Sequence, residues 1–152
     1  MPKAVILITC LMLLTACGEQ DSGTGAQTDS AAGLLDGRWY STDQVATGAA
    51  IFAANCATCH GELAQGLAAD WQARLPDGSY PPPPLNGSAH AWHHPLTQLL
   101  QVIETGGIPY GGNMPPFAGQ LDRDAMLAAV AFFQSQWSEE IYQNWVDLGG
   151  LN

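Results

Sequence analysis

Cys56-Ala57-Thr58-Cys59-His60 sets two thiols three positions apart, with an imidazole directly after the second. This is the spacing of a c-type haem attachment site. One turn of chain lets the two thiols add to the two vinyl groups on one edge of a porphyrin. The next residue then reaches under the ring, where its imidazole binds iron. A structural zinc site wants four ligands, usually as two such pairs, and the chain has no second pair. A thioredoxin-like dithiol wants a βαβ context, whereas the flanking sequence reads as helix.

An iron bound only by His60 keeps an open position, so the second axial ligand decides the function. Met126 falls in a helical pattern, where it is explained as a packing residue. Met114 falls in Gly112-Asn113-Met114-Pro115-Pro116-Phe117, which has no regular period to bury it. A thioether there is a soft ligand suited to haem iron.

The elements around these residues read as helices joined by Gly- and Pro-rich loops. Ser41-Thr42-Asp43-Gln44 is a capping box, and Val45, Gly48, Ala49 and Phe52 follow at helical spacing into Cys56. Gly61 to Pro84 is loop-like, broken by Gly61, Gly66 and Gly78 and ending in four prolines. Trp71, within it, either shields a haem edge or packs locally. Pro95 suits the first position of a helix whose stripe is Leu96, Leu99, Leu100 and Ile103, stopped by Gly106 and Gly107. Asp122 caps a last strong helix, with Leu121 and Met126 as a hydrophobic staple. Leu127, Val130, Ala131 and Phe133 give it a wide apolar face. No segment alternates with a strand period over a useful length. The tail from Ser138 carries Ile141, Tyr142, Trp145, Val146 and Leu148, too much apolar surface to leave exposed, and is expected to fold back as a short helix.

Together, these features resemble a class I monohaem cytochrome c. The resemblance rests on Gly48 and Phe52 before the Cys-x-x-Cys-His run, Pro83-x-Leu85-x-Gly87, Met114-Pro115-x-Phe117, and Ala129-Val130-Ala131-Phe132 in the closing helix. It spans about Val45 to Trp137. It implies an all-α cytochrome c fold, a small helical domain wrapped around one covalent haem c held by Cys56 and Cys59. It implies that His60 and Met114 are the axial ligands, and that the terminal helices cross near Gly48 and Phe132. It further implies that the Pro83 carbonyl accepts a hydrogen bond from the other imidazole nitrogen of His60, with Leu85 in the same cofactor-binding element. Such a bond fixes the ring and raises its basicity.

The chain departs from that pattern in the long Gly61–Pro82 segment, in the tail after Trp137, and in His90, His93 and His94. Three readings of the histidines stand: a second metal such as copper, an imidazole in place of Met114, or capping and surface positions. The last is favoured. Two histidines three or four apart chelate only where the backbone is helical or tightly turned.

The ends of the chain bear on location. Lys3 precedes an apolar run, Ala4 to Leu14, too short for a membrane span. Leu14-Thr15-Ala16-Cys17 resembles a bacterial lipobox, which implies a signal peptide over 1–16 and an acylated Cys17. Ordinary secretory cleavage and a retained membrane helix are the alternatives. Residues 17–35 read as a flexible tether, 36–137 as the cytochrome c domain and 138–152 as a C-terminal extension. The Gly18–Gly33 part is polar and small-residue-rich, with a reach of roughly 20–25 Å. Once Lys3 is lost, Arg38, Arg74 and Arg123 stand against fourteen carboxylates. That balance favours solubility and a basic docking partner and argues against nucleic acid.

The expectation is therefore a one-electron carrier. It would be exported, lipid-anchored to a bacterial membrane on its periplasmic or exterior side, and would work between redox partners. No residue pattern supplies an acid, base or nucleophile, so it is not read as an enzyme by itself. The alternatives are a haem protein that binds or delivers copper through His90, His93 and His94, and a haem sensor or peroxidase-like protein with a vacant distal position.

Overall fold

The computed structural model describes residues 34–152 except 36. The signal peptide, Cys17 and nearly all of the tether lie outside the described residues.

Helix α1 (Thr42–Asn55) begins where the capping box requires. Ser41 Oγ accepts from the Gln44 N–H at 3.2 Å, and Gln44 Oε1 accepts from the Ser41 N–H at 2.9 Å. Two of the four otherwise unpaired N–H groups at this end are thereby satisfied. The helix leads through Cys56 into a single turn, α2 (Ala57–His60). Helix α3 (Leu96–Thr105) starts one residue after Pro95, which acts as its N-cap instead of its first position. The shift is within the usual blur of a helix boundary. Gly106, at φ +85, ends it. Helix α4 (Arg123–Gln134) is capped by Asp122, whose carboxylate accepts from the Ala125 N–H at 2.8 Å. Helix α5 (Glu139–Asp147) forms in the tail, capped by Ser138. Among the described residues there are only isolated β-bridges and no strands, so the fold is all-α. None of the described helices is long and apolar enough to cross a membrane.

The frame of the domain is the crossing of α1 on α4. Gly48 is buried there, and a Cβ on it would collide with the Ala128 carbonyl oxygen and lie 3.0 Å from Phe132 Cβ. Only a residue without a side chain permits this approach. Phe52 and Phe132 close the crossing one turn further on, with ring centroids 5.0 Å apart. Val130 and Ala131 are fully buried behind them, and Met126 is buried as a staple residue should be.

The tail is part of this core. Trp145 is fully buried and Tyr142 nearly so. Tyr142 packs edge-on to Tyr40, and Trp145 packs edge-on to Trp137. The Trp145 indole N–H donates to the His94 carbonyl at 2.8 Å, and the Leu96 N–H donates to Gly150 O at 2.7 Å. The tail therefore also fastens the start of α3. At the other end, Leu35 and Trp39 pack on the core, and Arg38 pairs with Glu139 at 2.9 Å while lying over the Tyr142 ring. The chain joins the fold slightly before residue 36, because Leu34 and Leu35 are apolar and turn back against Ser41 and Tyr40.

Candidate functional site

The α1–α2 junction carries the three residues of the Cys-x-x-Cys-His run. The N–H groups of Cys59 and His60 both donate to the Cys56 carbonyl, at 3.1 and 2.9 Å. This local turn puts both thiols and the imidazole on one short helical segment. Cys56 is half-buried and Cys59 is exposed, and the two form no disulfide. Burial pushes the Cys56 thiol up to about 11, and the nearby Cys59 adds to the effect. Redox-active dithiols do the opposite and hold one sulfur as thiolate near neutral pH. Among the described residues no group of three or more His, Cys, Asp or Glu side chains converges to hold a metal ion, so a closed zinc cage does not form there.

His60 is buried, and its Nδ1 lies 2.9 Å from the Pro83 carbonyl oxygen. An acceptor at Nδ1 selects the tautomer with the proton there and leaves Nε2 free to bind a metal. Burial holds the imidazole below its usual range, with the Pro83 bond offsetting part of the shift.

Pro83 is itself held by the loop that follows His60. The His60 carbonyl accepts from the Gly66 N–H at 2.7 Å. The Ala64 carbonyl accepts from the N–H groups of both Leu85 and Asn86, at 2.7 and 3.1 Å. Ala64 is fully buried and sits at φ +57. That conformation costs an alanine roughly 1–2 kcal/mol, and here it lets one carbonyl serve two donors of the proline segment. Gly66, also left-handed, lets the Pro84 ring come within van der Waals range, since a Cβ there would be 3.0 Å from its Cδ. Leu85 is tied on its other side by the Trp137 indole, which donates to its carbonyl at 2.7 Å. The segment that fixes the imidazole is thus clamped between the loop after His60 and the end of α4.

Met114 is half-buried in a loop fastened from two directions. The Gly107 N–H donates to the Met114 carbonyl at 2.9 Å. A Cβ on Gly107 would lie 3.1 Å from Met114 Cβ, and one on Gly106 would lie 2.8 Å from Met114 O. The two glycines that stop α3 therefore also seat the methionine. Further along, the N–H groups of Phe117 and Ala118 donate to Ile103 and Glu104 carbonyls. Asn113 donates from Nδ2 to Ser79 Oγ at 2.8 Å, and the Tyr80 N–H donates to Gly111 O at 2.8 Å.

The histidine cluster divides. His90–His93 is a 3-10 turn. His90 stacks on Trp71 at 4.7 Å and meets His94 edge-on at 5.3 Å. His93 is exposed and stacks on Trp92 instead. Trp71 is therefore engaged by His90. Two positioning features had no clear sequence signal: an alanine gives no warning of a left-handed turn, and the Trp137–Leu85 bond spans 52 residues. A buried Trp after a closing helix is the only hint of the second.

The residues present fit a covalently attached haem: two thiols on one turn and, directly after them, a buried imidazole anchored through Nδ1. Residues 43–133 match the family model for cytochrome c oxidase, cbb3-type, subunit III, which is a c-type cytochrome domain. No curated protein and no solved structure matches the chain.

Proposed function

We propose that this chain, which belongs to the cytochrome c oxidase cbb3-type subunit III family and so carries covalently bound haem c, is a membrane-tethered one-electron carrier with closed His/Met coordination. When bound, the haem supplies a ferric/ferrous couple, and a His/Met pair favours the reduced state. Cys56 and Cys59 would attach it, and His60 and Met114 would be the protein ligands of its iron. Pro83 fixes the His60 ring through Nδ1, which keeps Nε2 aimed and basic. Ala64 and Leu85 hold Pro83 in place, and Gly106 and Gly107 seat Met114.

The observation that carries this reading is the 2.9 Å contact between His60 Nδ1 and Pro83 O on a buried ring. A ligand held this firmly suits a centre that must change charge with little rearrangement. No side chain is assigned an acid, base or nucleophilic role.

Acylated Cys17 would anchor the domain at a bacterial membrane, facing the periplasm or exterior, with residues 17–33 as a spacer. The acidic surface would favour a basic face on the redox partner. Potentiometric titration of the haem-loaded protein tests the electron-transfer reading: a reversible one-electron couple is expected, and rapid turnover of peroxide would contradict it. Metabolic labelling with a fatty acid tests the anchor, since label retained by Cys17→Ala would rule it out.

A further inference from the structure

His90 and His94 are assigned no role in the proposed haem site, and their ring centroids are 5.3 Å apart at 83°. An ion bound by one nitrogen of each ring, with N–metal bonds of about 2.1 Å, lies roughly 3.2 Å from both centroids. A tetrahedral angle at the ion then spaces the centroids by roughly 5.2 Å. The observed pair already has that spacing.

Three further features suit metal binding. His90 Nδ1 is buried and has no hydrogen-bond partner among the described residues. An imidazole left unsatisfied in this way is costly unless something binds it. Both residues are also held in place. His90 stacks on Trp71, the His94 N–H donates to the Ala91 carbonyl at 3.2 Å, and the His94 carbonyl accepts from Trp145. Burial, helped by the neighbouring His94 and His93, holds His90 below the usual imidazole range, which favours the neutral ring, whose one unprotonated nitrogen can bind a metal.

We propose that His90 and His94 form a two-imidazole site for a zinc ion, with water or an external ligand completing a tetrahedral shell. His93 is not a ligand, because it is exposed and stacked on Trp92 with centroids 3.8 Å apart. Two protein donors make this an exchangeable site open to an outside group, unlike a closed structural cage.

The test is calorimetric titration of zinc chloride into the untagged, haem-loaded full chain. One saturable equivalent is expected. His90→Gln or His94→Gln should weaken it on the order of tenfold or more, since even groups that only orient a ligand cost that much. His93→Gln should leave it unchanged. Affinity should fall as the pH drops, because the ligands must be deprotonated. In the unsubstituted protein, zinc should shift the imidazole proton signals of His90 and His94 but not those of His93. Absence of saturable binding overturns the proposal, as does equal dependence on His93.

Discussion

The indole N–H of Trp137 donates to the carbonyl of Leu85 across 2.7 Å, joining the end of α4 to the segment whose Pro83 carbonyl holds His60. Trp137 is buried, and Leu85 is half-buried beneath it. Trp137→Phe keeps an aromatic ring and leaves that acceptor unpaired. The expected cost is about 1–3 kcal/mol in a denaturant melt of the haem-loaded protein. The Leu85 segment should also loosen, seen as faster amide exchange at Leu85 and Asn86, both of which donate to Ala64. Unchanged exchange there would mean that the indole does not brace the segment.

The tail is as much a part of the core as α4. Trp145 is fully buried against Trp137 and Tyr142 and caps the His94 carbonyl. Trp145→Ala should cost about 3–5 kcal/mol, the range for emptying a large aromatic site. Thermal unfolding with haem attached measures it. A loss within a few tenths of a kcal/mol would show that α5 is an appendage.

Tyr40 gives the fold an alkaline limit. It is fully buried beside Tyr142, and burial pushes its phenol up to about 12, against the pull of Arg38. The unfolded chain ionises near the ordinary value of 10.0. Its contribution is therefore complete below pH 10 and is lost as the pH rises toward 12. Stability should fall by on the order of 1–2 kcal/mol over that interval from this residue. Melting temperatures from pH 8 to 12 check it. Tyr40→Phe should flatten the decline, leaving the smaller part owed to Tyr142, whose phenol is also raised by burial.

Much of this was legible in the residues because the signals were local. The Ser41–Gln44 capping box, the Asp122 cap and the Gly106 stop each act within one turn of chain, and each appears where its residue type demands. The crossing of the terminal helices near Gly48 and Phe132 was expected from the cytochrome c resemblance, since a lone glycine in a helix does not say which partner approaches it; the contact with the Ala128 carbonyl was not. The left-handed Ala64 carried no sign, because tertiary hydrogen bonds from Leu85 and Asn86 compensate a conformation that alanine disfavours. The histidines read as one cluster because five positions of sequence cannot show which rings meet. The 3-10 turn sends His93 onto Trp92 and leaves His90 facing His94.

The most direct measurement concerns Met114. The ferric, haem-loaded protein should show the weak absorption band at the edge of the near infrared that marks thioether ligation, and Met114→Ala should abolish it and lower the reduction potential. Loss of both, with His60 and the haem attachment intact, is the result expected of a closed His/Met carrier. A band that survives Met114→Ala, or that is missing from the unsubstituted protein, would contradict the assignment.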